Sequence, residues 1–334
     1  AVVFGACLYM YTGNSFTASK ALFLCIGVAF AFIKVSVYSM IGLFTESKEQ
    51  HNSFMSSIEG FFMVGIASAY FLFPAFFDGN NPDAWLRVYL LLAGLIAIAF
   101  FLLLFTKIDV AIPKSEGRLI DDFTGMIKLI ALPLTIFFIL SAFCFVMVEQ
   151  GIMTWLPTFN ERVLSLNDTL SVQMASILAL SLAAGRFLAG QAVKKLHWLK
   201  IVSVCLLVAA AIVAFVLPQA LNAGPRTIHA FSEIPAIGFI FPLIGLFIAP
   251  IYPLLSSATL SALPQRMHSS MTGLIVIFSA LGGTLGSRII GMLFQHVGGA
   301  QAFYFMLVPI AVLLVTLTLL NKFIKDYENA HPQN

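Results

Sequence analysis

Charge is scarce in this sequence. Asp, Glu, Lys and Arg make up only 10% of its 334 residues, against about 25% in soluble domains. With 60% hydrophobic residues and a mean hydropathy of +0.97, that shortage excludes an ordinary soluble domain and leaves an integral membrane protein with many spans. Cysteine is sparse as well. Cys7, Cys25, Cys144 and Cys205 lie far apart in apolar stretches, with neither metal-ligand spacing nor the pattern of a disulfide framework. The histidines (51, 197, 229, 268, 296 and 331) lie in loops, at span ends or in the tail, which argues against a proton relay through a mid-membrane imidazole. There is no Ser–His–Asp set, phosphate-binding glycine loop or metal cluster. Asp121-Asp122 is the only carboxylate pair outside the spans, too few for metal-dependent prenyl transfer. Neither an enzyme nor a cofactor or bound metal is expected. A net charge of +3 says little of a nucleic-acid partner, and none is expected.

Long apolar runs are what the chain has in abundance. A helix needs about 20 apolar residues to cross the hydrocarbon core. Such runs fall near 21–44, 53–77, 85–106, 129–158, 170–192, 200–221, 234–261, 269–293 and 300–321. An apolar run over 1–11 precedes them, with no charged leader or cleavage site. It reads as the tail of a span that begins before residue 1. No alternation with turn signals suggests a β-barrel. The intervening segments alternate in charge. One set, at 46–51, 107–128, 194–200, 265–268 and from 322 onward, carries most of the Lys and Arg, while the other carries only Lys20, Arg87, Arg162 and Arg226. The positive-inside rule makes the first set, and with it the C-terminus, cytoplasmic.

The longest polar stretch, 109–128, contains Pro113 and Gly117 and mixes both signs of charge. It divides the chain into 1–108, the remainder of an N-terminal helical half; 109–128, a cytoplasmic central loop; 129–322, a six-helix half; and 323–334, a cytoplasmic tail. A further two and a half spans ahead of residue 1 would complete six plus six, the layout of a transporter built from two repeated halves.

Against that background the charges inside the spans stand out. A charge at the bilayer centre costs roughly 3 kcal/mol on insertion scales, so such groups face a bundle interior or a water-filled path and are candidate functional residues. Lys34 is about ten residues from either end of its span, roughly 15 Å at the helical rise, too deep for easy snorkelling. Tyr38 and Ile41 share its face. Glu59 lies six residues into the next span, where a short connection brings it within reach of Lys34. The pair is either functional or a structural staple between two helices. Glu149 and Gln150 precede Pro157, which can bend a helix around a site. Trp155 offers either an aromatic wall or an interfacial anchor. Arg288, five residues from its span's outer end, either snorkels or gates the outside.

Several local patterns occur in order. Val148-Glu149-Gln150-Gly151-Ile152-Met153-Thr154-Trp155-Leu156-Pro157 opens the second half. Ala184-Gly185-Arg186-Phe187-Leu188-Ala189-Gly190 follows in the next span, then Ile251-Tyr252-Pro253 with Gln265 beyond it, and then Gly273, Gly282, Gly283, Gly286 and Gly291. Together they resemble the fucose–glucose–galactose:proton symporter family of the major facilitator superfamily, across essentially the whole chain. The resemblance implies an all-α membrane fold of two six-helix halves that rock about a midplane site. The family's first span, which commonly carries an acidic group implicated in proton coupling, is not among these residues, and the sequence departs from the family in two further places. Lys34 stands where fucose permeases carry a buried glutamate, and Glu59 where relatives often have a neutral polar side chain.

The expected function is secondary active transport, with proton-coupled uptake of a small polar solute such as a sugar. Lys34, Tyr38, Glu59, Glu149, Gln150 and Trp155 would bind the solute, and Glu59 and Glu149 would carry the proton. Arg186, Tyr252 and Pro253 would gate. An organic-anion transporter with Lys34 as counter-charge, a drug exporter and a non-transporting sensor remain as alternatives. The expected setting is a bacterial inner membrane, and the expected partners are the solute, a proton and the lipid bilayer, around a monomer.

Overall fold

The computed structural model describes the chain except residues 46, 47, 79, 80, 82, 107–118, 223–227, 229 and 332–334. In order, the helices are α1 (Val2–Gly13), α2 (Phe16–Phe44), α3 (Lys48–Leu72), α4 (Val88–Phe105), α5 (Leu119–Ile130), α6 (Pro133–Arg162), α7 (Asp168–Ala192), α8 (Trp198–Val216), α9 (Ala236–Ile240), α10 (Ile244–Ile248), α11 (Ile251–Ala262), α12 (Gln265–His296), α13 (Gly299–Tyr304) and α14 (Leu307–Ala330). Among the described residues, nine helical segments are long and apolar enough to cross a membrane. Each coincides with one of the apolar runs, and α1 occupies the opening fragment.

The helix ends are set by local chemistry that hydropathy does not register. Helix α2 starts at Phe16, ahead of the apolar run, because the Ser15 hydroxyl accepts the Ala18 amide at 3.1 Å and caps the first turn. Asn14, left-handed at φ 30°, ends α1 just before it. The segment read as a central loop is helical from Leu119 onward, and its earlier part lies outside the described residues. Leu119, Ile120, Phe123, Met126, Ile127 and Ile130 recur at helical spacing, so α5 is amphipathic. It packs against α12, where Met126 sits close to Gly273. At the other end, helix α14 runs on to Ala330, through most of the expected tail.

Proline acts differently in two places. The span over 236–262 is broken into α9, a 3-10 turn at Phe241–Leu243, α10, a turn at Ala249-Pro250 and α11. Pro242 and Pro250 lack the N–H that a continuous helix needs. Helix α6, in contrast, stays continuous through Pro157.

Two apolar clusters divide the interior. Ala6, Cys7, Met10, Leu22, Leu86 and Ala93 join α1, the first part of α2 and the α4 region. Tyr38 and Ile41 from the second part of α2, with Met55 and Met63 from α3, belong instead to the large core built by α6–α14. The site therefore lies where α2 and α3 meet the second half. Close helix contact depends on glycine. A Cβ at Gly282 would run into the Phe143 carbonyl and one at Gly286 into the Met147 carbonyl, so the α6 backbone lies directly on α12. Gly286→Val is expected to lower the melting temperature in detergent, with an overpacking cost of at least roughly 1–3 kcal/mol. Gly27→Val, where nothing lies within 4 Å of the added carbon, is the control that should leave melting nearly unchanged.

Candidate functional site: a buried charge network

Four helices each bring a charged side chain to one place. On α2, Lys34 and Tyr38 stand one turn apart, on the same face. The Lys34 ammonium donates to the Tyr38 hydroxyl at 3.0 Å and to Glu59 Oε1 on α3 at 3.0 Å. Tyr38 also donates its hydroxyl hydrogen to Glu59 Oε1. From α7, one Arg186 Nη donates to Glu59 Oε2 at 2.6 Å and to the Glu59 backbone carbonyl at 3.1 Å. The other Nη donates to Glu149 Oε1 on α6 at 2.7 Å. Arg186, Glu59 and Glu149 are 1%, 3% and 5% exposed, so water does little to screen these pairs. Two cations face two carboxylates and the charges cancel, which is what lets them remain ionised away from water.

The sequence around these groups explains how they meet. Gly60, next to Glu59, leaves room for the Phe187 ring, to which a Cβ would come within 2.7 Å. Gly190 lies against Ser53 and Ser56. These contacts fix α3 and α7 in antiparallel register and set Arg186 opposite Glu59. On the other side of Arg186, Gly185 lies against the Leu246 carbonyl of α10. Among the described residues, Arg186 Nε has no hydrogen-bond partner.

Aromatic faces surround the Lys34 ammonium. Tyr252, Tyr38, Phe30 and Phe62 have ring centroids 5.0, 5.1, 5.4 and 5.9 Å from Nζ, within cation–π range. Phe30, Lys34 and Tyr38 recur every four residues along α2. That spacing was the available signal for Phe30; Phe62 comes one turn after Glu59.

The expected site residues separate into two groups. Lys34, Tyr38, Glu59 and Glu149 come together. Arg186, expected to gate, joins them and stands at the centre of the network, its guanidinium turned inward between α3 and α6. Tyr252 lies over Lys34 and stacks on Phe145 at 5.8 Å, with Pro253 buried beside it in α11. Gln150 points elsewhere, toward Gly283 on α12. Trp155 also stands apart: its indole N–H donates to the Ser287 carbonyl at 2.7 Å and its ring stacks on Phe294, so it ties α6 to α12. Arg288 is exposed. A cleft of about 450 Å³, lined by Phe44, Thr45, Ser53, Phe54, Ser57 and Lys194 among others, opens where α2 ends and α3 begins. Ser57 lies two residues from Glu59.

Among the described residues, nine apolar spans with an ion network between their two halves define a multi-pass membrane protein with a transporter architecture. The sequence profile of the Major Facilitator Superfamily matches residues 1–287, and the chain belongs to that superfamily. No curated protein matches the sequence. Among solved structures, the crystal structure of the Major Facilitator Superfamily transporter FucP in the outward conformation is similar, with a TM-score of 0.69 and 12% identity over 95% of this chain and 80% of that one. A substituted form of the E. coli fucose:proton symporter FucP gives a TM-score of 0.68 at 12% identity, over 96% and 81% of the two chains. At that identity the likeness establishes the fold.

Proposed function

We propose that the protein is a secondary active transporter that takes up a small, hydroxyl-bearing solute together with a proton by alternating access. The observation that carries this reading is the bridge from Glu59 through Arg186 to Glu149, which links α3 to α6 and α7 inside the membrane. Of the two pairs, only Glu59–Arg186 joins the halves: a proton on Glu59 would weaken it directly, and a proton on Glu149 would release the Arg186 guanidinium on its α6 side and so free it to shift at the α3 contact. Solute and proton bound together would thus favour the change of access, and the solute gradient or proton gradient would drive it without ATP. The similar structure named as a fucose:proton symporter supports the choice of proton and sugar-like solute. The distribution of Lys and Arg supports a cytoplasmic C-terminus, and we take a bacterial inner membrane as the setting. A monomer suffices, because the network is complete within one chain.

The test is purified protein in liposomes loaded with a pH-sensitive dye, to which hexoses and polyols, and separately small carboxylates, are added. Acidification of the lumen by at least one solute, lost in Glu59→Gln or Glu149→Gln, is the expected result. Solute binding by calorimetry with no flux of solute or proton would replace the transporter reading with that of a sensor.

A further inference from the structure

Lys34 differs from the rest of the network. The Arg186 side chain is 1% exposed and both Nη groups are held by carboxylates, whereas the Lys34 side chain is 17% exposed. An ammonium has three N–H donors. Among the described residues, Lys34 gives two of them, to Tyr38 and Glu59, which leaves one donor uncommitted on a side chain that keeps 17% of its surface exposed. The surrounding rings of Phe30, Phe62 and Tyr252 form an apolar wall there. An accessible cation with a donor to spare, beside flat apolar faces, suits a carboxylate attached to a carbon skeleton.

Charge balance points the same way. Among the described residues, Glu59 accepts from Lys34, Tyr38 and Arg186, while Glu149 accepts from Arg186 alone. Protonating Glu149 therefore gives up the fewest bonds. The titratable groups near Glu149 are Arg186 from α7, Glu59 from α3, Lys34 from α2 and Tyr252 from α11. Of the other helices packed on α6, α12 turns Gly282, Gly283 and Gly286 to it and α14 turns Thr316, which bonds Ser141 at 2.9 Å. Helices α5, α10 and α13 also touch α6, and among the described residues neither α12 nor α14 brings a charged group to Glu149. With Glu149 neutral, the network carries one net positive charge. A neutral sugar would leave that charge buried, at a cost, and a single carboxylate on the solute would cancel it.

We infer that the solute is a hydroxylated monocarboxylate of the sugar-acid class, its carboxylate held by Lys34, and that the proton moved with it rides on Glu149. One proton and one anion cross together, so transport is electroneutral. This rests on the transporter reading above and narrows its solute.

The same proteoliposomes test it with gluconate and galactonate against glucose and galactose, at several membrane potentials set with potassium and valinomycin. The expected result is acidification with the sugar acids and not with the neutral sugars, at a rate independent of potential. Lys34→Gln should lower the initial rate with gluconate at least about tenfold. Lys34→Arg, which keeps the charge, should retain more of it. Melting curves for both variants separate lost folding from lost binding. Acidification by a neutral sugar alone, or a rate that follows the potential, would overturn the inference and leave proton–sugar symport standing. Silence with every solute would overturn both.

Discussion

Arg186→Leu is expected to abolish transport and to destabilise the protein by about 3–5 kcal/mol, the usual cost of removing one partner from a buried ion pair. The reason lies in what it leaves behind. Glu59 would keep Lys34 and Tyr38, but Glu149 would lose the cation that bonds it. The network would hold two carboxylates against one ammonium, with Glu149 5% exposed. Arg186→Lys separates charge from geometry. A lysine has one point of charge on a flexible stem, whereas the guanidinium fork spans two acceptors at once. In Arg186 that fork reaches Glu59 Oε2 and Glu149 Oε1, at 2.6 and 2.7 Å. The lysine variant should therefore recover much of the stability and little of the transport. Thermal melting in detergent and initial uptake rates in liposomes measure the two effects side by side. Wild-type transport by Arg186→Lys would mean that a single bond at this position is enough.

How far the sequence revealed this site depends on the residue. Spans of about 20 apolar residues are a strong signal, and the nine among the described residues were legible. Lys34, Tyr38 and Glu59 were legible because charges deep in apolar runs need partners, and because the short α2–α3 connection limits where those partners can be. The depth of Arg186 was less legible, since it lies only six residues from the end of α7. What buries it is the packing of Phe187 on Gly60 and of Gly185 on Leu246, contacts between segments far apart in sequence. Trp155 had two readings on sequence, wall or anchor, and the structure gives a third, a staple to Ser287 132 residues on. Helix α5 was hidden by its mixed charges and by the Pro113 and Gly117 ahead of it, although the apolar spacing within 119–130 was there to be read.

Whether the Lys34–Glu59 pair serves function or only holds two helices together is decided by removing it whole. Glu59→Gln alone leaves Lys34 and Arg186 facing Glu149, one positive charge in excess, and should cost about 3–5 kcal/mol. Lys34→Gln alone leaves one negative charge in excess, but Glu59 retains Arg186 and Tyr38, so its cost should be smaller. The double variant restores neutrality, with Arg186 and Glu149 still paired at 2.7 Å. It should be more stable than the two single costs predict when added, by about 0.5–3 kcal/mol, the range of coupling between residues in contact. Additivity of the three melting free energies would show that the two charges do not interact. Transport is expected to stay lost in the double variant, because neutrality returns the fold without returning the ammonium that faces the solute. A double variant that regains both stability and wild-type uptake would reduce the pair to a staple and move the solute site away from Lys34.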